Sequence, residues 1–258
     1  MHKKTEKPKQ RFEAMIVDCD GTIIGPSQEI SPAVKDALRK ANAKTRVSFC
    51  TGRPASWVLD LAAELGFHNA HIVEAGARVV ASDGAVLWEK LIPKTTVHEL
   101  WSRARNLGLR VGAQINGQDV YTWSPNETDR SVSHLYCSNP DRSRIEGFIE
   151  EVKNDVPSVH AILSRFQLGD APVSWVADLT ADGANKQHGL LHLARIEKID
   201  LKKTMAVGDG YNDFPLFLAC GFRVAMGNAP AELKAIADYV APHIDDDGLV
   251  DVIERFVL

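Results

Sequence analysis

The chain has 258 residues, 45% of them hydrophobic, and a formal net charge of −4 with acids and bases interspersed. That length supports one large core or two smaller ones. The charge pattern lacks the basic stripe of a nucleic-acid binder, and no apolar run approaches the length of a membrane-spanning helix.

The polar, lysine-rich start from Met1 to Arg11 has no apolar segment behind it, so it reads as a frayed terminus and not as a secretory signal. The first strand is the apolar run ending in Met15 to Val17, and Asp18-Cys19-Asp20-Gly21-Thr22 follows it directly. Ser31-Pro32 forms an N-cap with proline at the first helical position, predicting a helix to about Asn42. Val47 to Cys50 is the next strand, and Pro54 opens a helix that closes near Leu65-Gly66. After a short strand at Ile72-Val73, Val79 to Leu87 reads as a hairpin around Asp83-Gly84. Strands separated by helices imply a mostly parallel sheet with helices on both faces.

The pattern then changes. Thr96-Val97-His98-Glu99 fits a capping box, with its helix ending at Gly108. Strands Leu109 to Ile115 and Gln118 to Trp123 flank the turn Asn116-Gly117. A polar stretch follows, then a helix from Asn139-Pro140 to about Asn154, then strands Val159 to Phe166 and Val173 to Leu179. Helix-strand-strand, twice over, predicts an inserted α+β domain over residues 89–181, inside an α/β core made of 1–88 and 182–258. The core resumes with a helix from Lys186 to Glu197, a strand at Thr204 to Val207 and a short helix after Asn212. Phe222 to Ala225 is another strand, Pro230 opens a helix, Tyr239-Val240 is a short strand, and Leu249 to Phe256 is the terminal helix.

Four clusters fall at strand C-terminal ends or helix starts of the alternating part: Asp18/Asp20, Thr51-Gly52-Arg53, Lys186, and Gly208-Asp209-Gly210-Tyr211-Asn212-Asp213. In open α/β sheets that edge is where ligands bind. Asp18 and Asp20, one residue apart, point the same way, and their repulsion calls for a cation or an unusual pKa. With Asp209 they offer oxygen ligands to Mg²⁺. Thr51 and the Gly52 amide before a helix make an anion site, and Lys186 adds a point charge. Each cluster alone also has a plain reading: a turn at Asp20-Gly21, a threonine N-cap at Thr51, a solvated lysine, a polar loop at Asp209 to Asp213. Cys19, Cys50, Cys137 and Cys220 have no metal-ligand spacing and read as reduced thiols of a cytoplasmic protein.

In these signatures, and in Ala225-Met226-Gly227-Asn228-Ala229, the chain resembles the haloacid dehalogenase (HAD) superfamily of phosphatases; the insert is similar to their type IIB, or Cof-type, cap. The resemblance implies a Rossmann-like core and a Mg²⁺-dependent phosphomonoesterase acting on a small phosphorylated metabolite, with sugar phosphates favoured. It implies Asp18 as nucleophile and Asp20 as the acid/base, a role that calls for a raised pKa, with the Asp20 backbone carbonyl touching the metal. Asp209 would bind the metal and Asp213 would bind or orient its shell. Thr51 and Lys186 would hold the phosphoryl oxygens together with amides of Gly21 and Gly52, with Arg53 and Asn212 nearby. Phosphoglycolate hydrolysis, a phosphomutase and a non-catalytic phospho-ligand regulator are the alternatives. Tyr121, Trp123, His134, Tyr136, Arg165, Phe166 and Trp175 are candidates to line a substrate pocket, though aromatics at alternating strand positions are mostly core. Glu74-Ala75-Gly76-Ala77 stands where Cof-type relatives usually carry Asn-Gly-Ala. His188 could face the cleft, and Asp245-Asp246-Asp247 reads as a solvated loop and N-cap.

Overall fold

Four consecutive apolar residues make β1 (Ala14–Val17), and all four are fully buried because both faces of the strand are covered. Met15 and Val17 pack with α1 (Pro32–Asn42), α2 (Ala55–Leu65) and the terminal α8 (Gly248–Phe256), whereas Ala14 and Ile16 pack on the opposite face. The structure is a computed structural model that describes residues 11–121, 123–125, 131–167 and 169–258. All but the last residue of the stretch expected to fray lies outside the described residues.

β1 pairs in parallel with β2 (Arg46–Phe49) on one side and with β11 (Thr204–Gly208) on the other. Parallel pairing continues outward from β11 to β12 (Phe222–Ala225) and β13 (Tyr239–Val240). The second face is covered by α5 (Lys186–Glu197), α6 (Phe214–Ala219) and α7 (Ala231–Ile236). Beside β2, the strands β3 (His71–Val73), β4 (Arg78–Val80) and β5 (Val86–Glu89) form a small antiparallel sheet, tied on through a parallel bridge between Cys50 and Ile72. The parallel sheet with helices on both faces, read from the alternation, is therefore observed, and it fits the Rossmann-like core that the resemblance implies.

Between β5 and α5 the chain builds a second sheet with its own apolar cluster. It comprises α3 (Lys94–Asn106), β6 (Arg110–Ile115), β7 (Gln118–Val120), β8 (Val132–Asn139), α4 (Arg142–Asp155), β9 (Val159–Phe166) and β10 (Ser174–Ala181). Its strand order is β7-β6-β8-β10-β9, all antiparallel. Sequence reasoning missed β8, the central strand, by reading a polar stretch there. Leu135 and Cys137 face the two helices, while His134 and Tyr136 face the other way, so the polar content belongs to one side of a strand. The order is thus helix followed by three strands, then helix followed by two.

Two helix starts also differ. α3 begins at Lys94, with Pro93 at the N-cap and no side-chain cap, so Thr96 lies inside the first turn. Proline's fixed φ already suits that entry and needs no capping box. α4 is capped by Asp141, whose Oδ1 accepts the Ser143 N–H at 3.0 Å. Among the described residues no helix is long and apolar enough to cross a membrane.

Candidate active site

Asp18 and Asp209 follow the ends of neighbouring strands β1 and β11, where the chain leaves in opposite directions across the sheet. That is the topological switch point of a parallel sheet, and the ladder still holds there: the Asp18 N–H donates to the Val207 carbonyl at 2.9 Å. The loop after Asp18 passes directly over Asp209. Gly21 has φ +86°, and a Cβ there would lie 2.1 Å from Asp209 Oδ2, so only glycine permits the crossing. Thr22 Oγ1 donates to Asp209 Oδ1 at 3.3 Å. Asn228, just beyond β12 on the same edge, donates to Asp209 Oδ2 at 3.1 Å and to the Gly21 carbonyl at 2.8 Å.

Lys186 opens α5, where Asn185 caps the helix by accepting the His188 N–H at 3.1 Å. Its ammonium is buried and sits 2.6 Å from Asp18 Oδ1 and 2.6 Å from Asp213 Oδ1. The other oxygen of Asp213 accepts the backbone N–H groups of Asp209 and Gly210, both at 2.9 Å. Asp213 is therefore a strut between the Asp209 loop and Lys186. The approach of α5 depends on Gly76 (φ +94°), where a Cβ would lie 2.1 Å from the Asn185 carbonyl carbon.

Oxygen atoms of Asp18, Asp209 and Asp213 all lie within 4.8 Å of one another. Three buried carboxylates face one ammonium, so acids outnumber the cation in the cluster three to one. Burial pushes the Asp18 carboxyl well above the usual carboxylate range; Lys186 opposes the shift, and the neighbouring Asp213 and Asp209 add to it. Burial, with the Asp213 charge behind it, pushes Asp209 up to about 7. An all-oxygen donor set with that charge deficit fits a hard divalent cation. Asp20 is not in the cluster. Its carboxylate is clasped by Arg53, with Nε at 2.9 Å and Nη2 at 2.6 Å, and Arg53 also reaches Gln28 Oε1 at 2.6 Å.

These shifts carry a pH dependence. A carboxyl raised in the fold holds its proton more tightly than in the unfolded chain, so its contribution to stability is present at low pH and is lost as pH climbs through about 7. A divalent cation removes that cost only where it need not displace a proton. The melting temperature gained on adding Mg²⁺ is expected to be about 3 °C or more at pH 8 and close to zero at pH 5 by scanning calorimetry. An equal gain at both pH values would contradict this reading of the cluster.

Thr51 is buried at the end of β2, and its Oγ1 accepts the Arg53 N–H at 3.1 Å. Gly52, Arg53 and Asn212 line a cavity of about 310 Å³ together with Asp18, Asp20 and Asp209. Its opposite wall is the helix-free face of the second sheet. There Tyr121, His134, Tyr136, Arg165 and Phe166 stand as expected. Trp123 and Trp175 do not: both pack with the helix-side cluster, and Arg142 lies over the Trp175 ring at 4.7 Å. For Trp175 this follows from strand parity, since it alternates with the cleft-facing Val176, whereas Trp123 lies beyond the end of β7.

Gln114, Asp119 and Asp178 also line the wall, and sequence reasoning passed over all three; Asn228 was named only within a signature, with no role given to it. Their signal was position on strands whose apolar alternates face the helices, and for Asn228 its place at the strand-end edge. Gln114 Nε2 donates to the Gly52 carbonyl at 2.7 Å, bringing the insert onto the core loop. Two more contacts join these parts. Ser56 N–H donates to the Gly117 carbonyl at 3.1 Å, and Arg165 Nη2 donates to the Asn228 carbonyl at 3.0 Å.

Glu74 does not line the cavity. It is buried at φ +56°, pairs with Arg78 Nη1 at 3.4 Å and accepts a hydrogen bond from Ser133 of β8. His188 bonds its own cap, Asn185, at 2.9 Å and lies off the cavity. Asp247 occupies the N-cap position of α8 without capping it and instead accepts from Ser31 Oγ at 2.6 Å. All four cysteines are free, and burial raises each thiol.

The sequence profile of the haloacid dehalogenase-like hydrolases matches residues 15–253. A phosphoglycolate phosphatase from Methanothermobacter thermautotrophicus is 27% identical, over 95% of this chain and 99% of that protein. Phosphatase YwpJ of Bacillus subtilis is 26% identical, over 95% of this chain and 100% of that protein. Among solved structures, a HAD subclass IIB sugar phosphatase superposes with a TM-score of 0.78 at 24% identity, covering 94% of this chain and 98% of that one. The match spans both the strand-end acids and the inserted sheet that faces them, and on it the chain belongs to the haloacid dehalogenase-like hydrolases.

Proposed function

We propose that the protein is a Mg²⁺-dependent phosphomonoesterase for a small phosphorylated metabolite, with sugar phosphates favoured, and that residues 89–181 act as a cap on a core made of 1–88 and 182–258. The observation that carries this reading is the buried set Asp18, Lys186, Asp209 and Asp213: Asp18 and Asp209 line the floor of a cavity whose other wall belongs to the cap, and Lys186 and Asp213 lie buried behind them.

Asp18 is the nucleophile: its free carboxylate oxygen attacks phosphorus, the ester oxygen leaves, and an aspartyl-phosphate divides hydrolysis into two displacements. Lys186 holds Asp18 in place by one oxygen and supplies positive charge where the phosphoryl oxygens gather. Asp18, Asp209 and Asp213, with the Asp20 carbonyl, would hold Mg²⁺, which when bound offsets the repulsion between carboxylate and phosphate. Asp213, fixed by two amides and Lys186, keeps the Asp209 loop in register. Asp20 gives a proton to the leaving oxygen and later takes one from water. Its clasp by Arg53 is the ground-state arrangement, and an incoming phosphate competes for that guanidinium. Thr51 and the Gly21 and Gly52 amides complete the phosphoryl cradle, with Arg53 and Asn212 at its rim.

Relatives named as phosphoglycolate phosphatases support a second reading in which glycolate is the leaving group. The test is phosphate release from a panel of phosphorylated metabolites, with and without Mg²⁺. Metal-dependent release from sugar phosphates is expected. Isomerised product in place of phosphate would favour a mutase, and binding without turnover a regulator.

A further inference from the structure

The cap wall opposite the floor acids is itself acidic and rich in hydroxyls. Asp119 Oδ1 accepts from Gln114 Nε2 at 3.0 Å and from Tyr136 OH at 3.3 Å, and its Oδ2 accepts from Tyr121 OH at 3.5 Å. Burial, with the Asp119 charge behind it, raises the Tyr136 hydroxyl, which stays protonated as a donor. The Tyr136 ring reaches this position because Gly112 carries no Cβ, which would lie 2.3 Å from it.

Hydrogen-bond accounting fixes the rest of the wall. Gln114 Nε2 faces two pure acceptors, the Gly52 carbonyl and Asp119, so its Oε1 is the atom that meets His134 Nδ1 at 2.9 Å. His134 Nε2 meets Asp178 Oδ1, also at 2.9 Å. His134 Nδ1 therefore donates to Gln114, and Nε2 is the atom left to Asp178. Asp178 is only 6% exposed and lines the cavity, yet its Oδ2 has no hydrogen-bond partner among the described residues. Among the described residues Asp119 meets the amide of Gln114 and the hydroxyls of Tyr136 and Tyr121, and no cation. Of the guanidiniums that line the cavity, Arg53 bonds Asp20 and Gln28 and Arg165 bonds the Asn228 carbonyl, so neither holds Asp119 or Asp178.

Resting on the phosphomonoesterase reading, we propose that Asp119 is the specificity-determining residue of the cap, with Asp178 as its partner: together they accept hydrogen bonds from hydroxyl groups of a neutral leaving group and turn away leaving groups that bear a carboxylate. A hydroxyl donates to Asp119 and Asp178, whereas a second carboxylate brings a like charge against them. This separates the chain from relatives named for phosphoglycolate, whose leaving group is such an anion.

The test uses substrate pairs that differ only in CH₂OH against COO⁻: 2-hydroxyethyl phosphate with 2-phosphoglycolate, and glycerol 3-phosphate with 3-phosphoglycerate. For the Mg²⁺-loaded enzyme the kcat/KM ratio, neutral over anionic, is expected on the order of 10². Asp119→Asn should lower that ratio roughly tenfold, and Asp178→Asn should lower it in the same direction. A ratio cancels general losses of folding or catalysis, so a merely structural role would leave it unmoved. A ratio near one in the wild type, or one unchanged in both variants, overturns the proposal. Absence of turnover on every pair would count against the phosphatase reading instead; calorimetric binding of the same pairs then decides the preference, with the same ratio expected and the same result overturning it.

Discussion

Asp18→Asn is expected to lower turnover by about 10⁴-fold or more while leaving the fold intact. The amide keeps the shape of the carboxylate and can still accept from Lys186, but it has no anionic oxygen to place on phosphorus. Stability should hold or rise, because a carboxyl whose charge is costly to bury is replaced by a neutral group. Steady-state phosphate release with an unchanged circular dichroism spectrum and an unchanged or higher Tm checks both halves. Hydrolysis near the wild-type rate would remove Asp18 from the role of nucleophile.

Lys186→Met is the second large effect, and it falls on stability as well as activity. The ammonium is buried between Asp18 and Asp213, and although burial disfavours its charge, the two carboxylates raise its pKa well above the ordinary lysine value. Methionine fills similar space but leaves those carboxylates facing each other, and breaking a buried pair in this way costs about 3–5 kcal/mol. Without metal the variant should unfold at markedly lower urea concentration, and saturating Mg²⁺ should recover part of the loss. Activity should fall by about 10²-fold or more even when folded, since charge facing the phosphoryl oxygens is gone. A variant with wild-type urea midpoint in the absence of metal would show that the ammonium does not hold the acids together.

The core was legible because its signals are local. β1 is four apolar residues that sheet geometry can only bury, and α1 opens on a serine whose Oγ accepts the Val34 N–H at 3.1 Å. Asp18 and Asp209 could be brought together from sequence because strand ends of a parallel sheet share one edge, and Lys186 joined them through the family's signatures. The Arg53 clasp on Asp20 was not legible, since it depends on a side-chain rotamer and not on spacing. Nor was the wall of the cap: β8 carries its polar residues toward the cavity, so the alternation that would have marked it as a strand looked like a loop. Asp119 and Asp178 carry no motif. Their meaning comes from the cavity they face, which is a property of the folded sheet.

The most direct measurement is to quench the Mg²⁺-loaded enzyme during turnover, trap acyl phosphate by borohydride reduction, and map the modified peptide by mass spectrometry. The account predicts reduction at position 18, absent from Asp18→Asn and absent at Asp20, Asp209 and Asp213. Modification at another of these acids, or steady phosphate release with no trapped residue at any time point, would contradict it.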